Sequence, residues 1–236
     1  FFSLYANIDG FCFSEKDVDN RPTLDCWILT ELNTLIGGVD NAYHEYEPTV
    51  AGRLIQNFVI EKLSNWYVRL CRRRFWKGDY SLDKVSAYQT LYHCLIVISK
   101  LSAPIAPFFM DKLFIDLNRA VNLENCESVH LSRFPVKNDK LIDGVLEKKM
   151  KLTKEICSLA LSLRKKEGIR VRQPLSSINI CFEAGYSKKD VFVDLIESEI
   201  NVKSVFFSEN SSKVISRKVV PNFSVLGKKY GSKIKK

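Results

Sequence analysis

The stretch Thr23-Leu24-Asp25-Cys26-Trp27-Ile28-Leu29-Thr30-Glu31-Leu32-Asn33-Thr34-Leu35-Ile36-Gly37-Gly38-Val39-Asp40-Asn41-Ala42-Tyr43-His44 decides the fold. Leu24, Trp27, Ile28, Leu32, Leu35, Ile36, Val39 and Tyr43, with Tyr46 just beyond, follow helical spacing. They draw one apolar stripe over about six turns. Arg21-Pro22-Thr23 opens this helix. Gly37-Gly38 interrupts the stripe, which predicts either a close helix contact or a small kink.

Working outward, Pro48 fits the first position of a second helix, behind Glu47. Its expected stripe is Val50, Leu54, Phe58, Leu63 and Trp66, running on into Arg72-Arg73-Arg74. Ser81 is the expected N-cap of a third helix, with Asp83 favourable in the first turn. Val85, Tyr88, Leu91, Tyr92, Leu95, Ile98 and Leu101 form its buried face, and Ala103-Pro104 ends it. A fourth helix starts near Pro107 and carries Phe108, Leu113, Phe114 and Leu117. Long amphipathic helices on short links make a helical bundle. Leu131–Pro135 is a link, followed by a long helix over Leu141–Glu167 that Gly168 stops. The texture then changes: Leu175, Ile178, Ile180 and Phe182 read as strand, Val191–Glu199 as a short helix, and Val202–Phe207 as a second strand. The expected fold is mainly α, a helical bundle followed by a small, incomplete α+β segment. The expected division is an aromatic, turn-rich connector over 1–20, the bundle over 21–136, and the long helix with a basic α+β segment over 137–236. The connector carries a turn signal at Asp9-Gly10 and the acids Glu15, Asp17 and Asp19.

Charge divides along the same line. The 236 residues carry 36 Lys and Arg against 27 Asp and Glu, a net charge of +9. Residues 1–136 hold 14 basic and 16 acidic side chains, whereas 137–236 hold 22 and 11. The whole excess sits in the C-terminal part, which suggests a second module facing a polyanion. The 7 cysteines show no C-x-x-C spacing, so neither a disulfide framework nor a structural zinc site is supported. Free thiols fit a reduced, cytosolic compartment. No apolar run reaches the roughly 18 residues of a membrane span. With no initiating Met and no signal peptide, the chain reads as a piece of a larger protein.

The densest functional signal is Leu63-Ser64-Asn65-Trp66-Tyr67-Val68-Arg69-Leu70-Cys71-Arg72-Arg73-Arg74-Phe75-Trp76. Arginine forks match phosphate oxygens and stack on bases. An exposed aromatic ring offers an unpaired base about 1–3 kcal/mol of stacking. Clamping of single-stranded or loop RNA is the function such a cluster suits. Structural roles stand beside it. Trp66 lies on the apolar stripe and is assigned to the core, Arg69 and Arg73 can pair with acids on neighbouring helices, and Arg72, Arg74 and Trp76 each fit RNA contact and a structural role equally. The second basic stretch is Arg164-Lys165-Lys166-Glu167-Gly168-Ile169-Arg170-Val171-Arg172-Gln173-Pro174. Read as extended after Gly168, it places Arg170 and Arg172 on one face and Ile169 and Val171 on the other. The lysine-rich tail Lys228–Lys236 is either a solubilising terminus or a broken-off helix. His44, His93 and His130 show no metal-ligand spacing, and neither a Gly-rich phosphate loop nor a G-x-S-x-G elbow occurs.

Several phrases together resemble the anticodon-binding region of isoleucyl-tRNA synthetases. They are Asn65-Trp66-Tyr67-Val68-Arg69 with Arg72-Arg73-Arg74-Phe75-Trp76, then Ala103-Pro104-Ile105-Ala106-Pro107-Phe108 and Glu127-Ser128-Val129-His130-Leu131. Val171-Arg172-Gln173-Pro174-Leu175, Pro221-Asn222-Phe223 and Leu226-Gly227-Lys228-Lys229-Tyr230-Gly231 follow in family order. Ile200 and Val220 depart from the pattern, standing where Leu and Lys are expected. The resemblance implies a class I aminoacyl-tRNA ligase as parent: ATP, with Mg, activates isoleucine, which then moves to its tRNA. His-x-Gly-His is absent. Lys149-Met150-Lys151-Leu152-Thr153 only superficially matches the mobile ATP loop, and it sits in a helical run of Leu146, Met150, Ile156, Leu159 and Leu163. No cofactor is therefore expected in this chain, and ATP and Mg belong to catalytic regions outside it. The expected partner is the anticodon stem-loop of isoleucine tRNA, with no membrane, no DNA and a monomeric state. The RNA-binding residues implied are Asn65, Trp66, Arg69, Arg72, Arg73, Arg74, Trp76, Lys165, Lys166, Arg170 and Arg172. A catalytic fragment is disfavoured by the absent motifs. A protein-interaction bundle would bind its partner with little response to salt, whereas RNA affinity falls steeply as salt rises.

Overall fold

The computed structural model describes residues 1–11, 21–76, 79–121, 125–182 and 186–208. Glu15, Asp17 and Asp19, the Pro221-Asn222-Phe223 turn, Val220 and the basic tail lie outside those residues. The chain forms two compact units, Phe1–Lys148 and a smaller one from Lys149 on. No described helix is long and apolar enough to cross a membrane.

Helix α2 spans Thr23–His44, as its stripe requires, and buries Trp27, Ile28, Leu32, Leu35, Ile36 and Val39. The glycine pair serves close contact: a Cβ on Gly38 would stand 3.2 Å from Leu54 Cδ1, and one on Gly37 2.9 Å from Lys137 Cδ. Helix α3, Pro48–Asn57, passes directly into a π-helical segment, Phe58–Val68, and then into α4, Arg69–Trp76. This changes the face. Ala51, Ile55, Phe58, Leu63, Tyr67, Cys71 and Phe75 are buried, while Val50 and Leu54 of the expected stripe are exposed. Phe58 and Leu63 are five apart, an interval that i→i+5 hydrogen bonding brings onto one face and an α-helix does not.

Helix α5, Leu82–Ser102, starts at the expected N-cap: Ser81 Oγ accepts from the Lys84 N–H at 3.3 Å. Such a cap contributes about 1 kcal/mol. The helix is buried on nearly every side, polar residues Lys84, Ser86, Gln89 and Thr90 included, because α2, α3, α4 and the helices at Phe2–Asp9 and Pro107–Val121 surround it. Helix α6 spans Pro107–Val121 and buries Phe114 and Leu117. Phe108, expected inside, is 90% exposed. Phe108 sits in the first turn, where the chain has just left the core at Pro104. The first residues also differ from a turn-rich connector. Phe2–Asp9 is helix α1, ended by Gly10 in the left-handed region at φ 62°. Its aromatics turn inward, with the Phe2 ring 6.1 Å from those of Tyr88 and Tyr92. Asp9 fixes the helix end, pairing with Lys84 at 2.8 Å and accepting from the Tyr88 hydroxyl at 2.6 Å. Residues 137–143 lie on α2: Asn138 N–H donates to Asn33 Oδ1 at 3.0 Å and Thr30 Oγ1 donates to the Leu141 carbonyl at 2.9 Å.

In the second unit, α7 begins at Gly144 in the first and runs to Lys166, and Gly168 stops it at φ 68°. Its buried face is Met150, Thr153, Cys157, Ala160 and Arg164, whereas Leu159 and Leu163 are exposed. That phase lets Thr153 Oγ1 accept from the Phe192 N–H at 3.0 Å. Strand β1, Ile178–Cys181, pairs in parallel with β2, Val205–Ser208, Ile178 opposite Val205. Helix α8, Val193–Ile200, forms the crossover, and Leu175 bridges Val202 at the head of the pair. The strand–helix–strand order matches the expectation.

Candidate nucleic-acid interface

The helix end at residues 65–76 sorts its side chains by phase. Arg69, Arg72, Arg73 and Trp76 are spaced i, i+3, i+4 and i+7, which is one helical face. All four are exposed, as is Asn65 one turn earlier. Trp76 is 54% exposed. The stripe from Arg69 to Trp76 extends about 10 Å. Trp66 is half-buried. The Arg69 guanidinium stands 5.7 Å from the centre of its ring, and Arg69 Nε donates to the Asn65 carbonyl at 2.7 Å. Arg69 is thus held in a cation–π contact worth about 0.5–1 kcal/mol at an exposed position. Among the described residues Arg72 and Arg73 make no ion pair, and their charges face solvent.

Arg74 points the other way. It shares the inner face with Tyr67, Cys71 and Phe75, and its Nη1 and Nη2 donate to the two oxygens of Asp25 at 2.7 and 2.9 Å. Asp25 is fully buried and also accepts from the Tyr67 hydroxyl at 2.8 Å and the Ser86 hydroxyl at 2.6 Å. Arg74 Nε and Nη2 reach the carboxylate and carbonyl of Asp83 at 2.9 and 2.8 Å. This bidentate pair ties α4 to α2 and α5 and fixes the rotation at which the outer stripe faces solvent. Burial works against the Arg74 charge, but the Asp25 hydrogen bonds and charge outweigh it and raise its pKa. Burial, reinforced by the Asp25 charge, raises the Tyr67 hydroxyl well above its usual value. Burial likewise pushes the Cys71 thiol up to about 11. Arg74 is committed to the Asp25 pair, the structural one of the two uses weighed for it. Its phase with Cys71 and Phe75 was the signal. Asp25, Tyr67 and Ser86 belong to the arrangement too; Tyr67 lies within the quoted Asn65–Arg69 phrase, whereas no motif in the sequence marks Asp25 or Ser86.

The second basic cluster lies in the other unit. Lys165 and Lys166 are exposed in the last turn of α7, where positive charge complements the helix dipole. Arg170 and Arg172 are exposed, but not as alternating residues of an extended segment. Gln173 N–H donates to the Arg170 carbonyl at 3.0 Å and closes a turn. Val171, expected on the opposite face, is itself 46% exposed. The carbonyls of this loop turn inward, those of Arg170 and Gln173 accepting from Arg164 Nη1 at 3.2 and 3.1 Å. Among the described residues no group of three or more His, Cys, Asp or Glu could hold a metal ion.

The comparisons give the class to which this bundle, with its cationic and aromatic helix end, belongs. The model of the anticodon-binding domain of tRNA ligases matches residues 25–179, so the chain belongs to that family. Its relatives are more particular. The chain is 51% identical, over its whole length, to a protein of Cytophaga hutchinsonii named isoleucine–tRNA ligase, of which it spans 22%. Proteins of the same name from Bacteroides fragilis and Thermus thermophilus are 48% and 37% identical over the whole chain, which covers 21% and 23% of them. The chain thus spans about a fifth of the length of these relatives.

Proposed function

We propose that this chain binds and positions the anticodon stem-loop of isoleucine tRNA as part of an isoleucine–tRNA ligase. The carrying observation is the exposed stripe of Asn65, Arg69, Arg72, Arg73 and Trp76 on a helix end pinned from behind by Asp25 and Arg74. Arginine forks grip the loop phosphates, and Trp76, with the Arg69–Trp66 pair, offers planes on which unpaired bases stack. Residues 21–136 carry this bundle. The basic part over 137–236 adds Lys165, Lys166, Arg170 and Arg172 as a second, sequence-independent grip on the backbone. In this reading ATP and Mg act in the rest of the ligase. This chain holds neither, binds neither DNA nor membrane, and works in the cytoplasm as part of a monomer.

The test is a titration of the chain with the isoleucine tRNA anticodon stem-loop and with a loop of changed anticodon, each at two salt concentrations. A preference for the first, weakened by salt and by Trp76→Ala, is the expected result. Equal, weak binding to both would reduce the function to electrostatic grip. No binding at low salt would remove the RNA reading and favour a protein partner.

A further inference from the structure

Arg164 is the least expected buried group in the second unit. It lies in the last turn of α7, 5% exposed, and among the described residues no carboxylate pairs with it. Among those residues its guanidinium is held by carbonyl oxygens alone. Nη1 donates to those of Arg170 and Gln173 at 3.2 and 3.1 Å, and Nη2 to that of Asn201 at 3.1 Å. Asn201 adds a donor to the same loop: Nδ2 reaches the Val171 carbonyl at 3.0 Å. Its backbone, at φ 53° after α8, is the left-handed conformation that asparagine tolerates. The carbonyls of 170, 171 and 173 are therefore all drawn toward two side chains, and the side chains of Arg170, Val171 and Arg172 are exposed. An exposed valine between two exposed arginines follows from where the backbone is held, because hydrophobicity alone would turn Val171 inward.

We propose that Arg164, assisted by Asn201, is a positioning residue for tRNA binding, holding the 170–173 turn so that Arg170 and Arg172 are presented together to the RNA backbone. The proposal rests on the reading that Arg170 and Arg172 contact RNA. A turn ordered before binding spares the complex the cost of ordering two long side chains and their loop. The planar fork of arginine spans three carbonyls at once. A lysine ammonium in the same place keeps the charge but is a single point with its own hydration demand. Burial of an unpaired cation is costly, and here it leaves the positive charge of the cluster undiminished.

The test compares four forms of the full chain against an isoleucine tRNA transcript at a series of salt concentrations: native, Arg164→Lys, Asn201→Gly and Arg170→Ala/Arg172→Ala. The double variant removes the contacts themselves, and its log–log salt slope should fall by about one to two. Arg164→Lys should reproduce most of that loss, with affinity down about fivefold and a shallower slope, although net charge is unchanged. Asn201→Gly keeps the left-handed cap and should weaken binding about twofold, with faster amide exchange at Gln173. This variant carries the test if Arg164→Lys does not fold. A purely structural role moves the melting temperature and leaves the slope alone. Native affinity and slope in Arg164→Lys and Asn201→Gly, beside weakened binding in the double variant, would overturn the positioning role. Native binding by the double variant would overturn the reading beneath it, and the proposal with it.

Discussion

The end of α4 and the turn after α7 use arginine in the same way and in opposite electrostatic settings. Each cluster sends one arginine inside and leaves its neighbours in solvent. At α4 the inner residue, Arg74, meets the buried carboxylate of Asp25 in a bidentate pair. After α7 the inner residue, Arg164, meets only backbone carbonyls among the described residues. The first arrangement neutralises the buried charge and locks one helix to two others. The second leaves the charge in place and shapes a short loop. An arginine-rich run is thus not a uniform surface. Helix phase turns Arg74 and Arg164 inward, while Arg72 and Arg73 on the outer face of α4 and Arg170 and Arg172 in the turn beyond α7 are exposed.

The largest expected effect tests the first half of that contrast. Arg74→Ala strands the fully buried Asp25, and removing one partner of a buried pair costs about 3–5 kcal/mol. Urea unfolding followed by circular dichroism reads it, and a loss under about 1 kcal/mol would mean that the pair is dispensable. Arg164→Ala should cost less, about 2–3 kcal/mol, because it strands carbonyls rather than a carboxylate. A loss as large as that of Arg74→Ala would reverse the comparison.

Part of this was legible and part was not. Apolar spacing located α2, Ser81 located the start of α5, Gly168 located the end of α7, and the change of texture beyond it located two strands and the helix between them, though not their parallel pairing. The π-helical segment was hidden. Reading residues 50–66 at α-helical period puts Val50, Leu54 and Trp66 on the buried face, while five-residue spacing from Phe58 to Leu63 puts Tyr67 there instead. Tyr67 is one of the residues that donate to Asp25, beside Arg74 and Ser86, so the missed change of period concealed that part of the buried network. Phe108 and Leu159 were misplaced because hydrophobicity says that a side chain prefers burial, not that a neighbour exists to cover it. Arg170 and Arg172 were rightly read as exposed. The turn that presents them depends on Asn201, some thirty residues away, which no local pattern reveals.

A smaller effect appears with pH. Cys71 titrates near 11 in the folded chain against its usual 9.0, raised by burial, and Tyr67 is raised as well. The folded state then holds these protons more tightly than the unfolded state, so their contribution is complete below pH 9 and is lost as pH rises through 11. The melting temperature should fall across that window, and Cys71→Ala should flatten the fall. A flat profile in the native chain would contradict the burial of this thiol against Arg74.

The most direct test of the account is Arg72→Ala/Arg73→Ala, read side by side for stability and for binding to the isoleucine anticodon stem-loop across salt. Both side chains lie on the outer face, so unfolding free energy should stay within about 0.5 kcal/mol of native. Affinity should drop and the salt slope should fall by about one to two. Native affinity with an unchanged slope would contradict the assignment of this helix face to RNA.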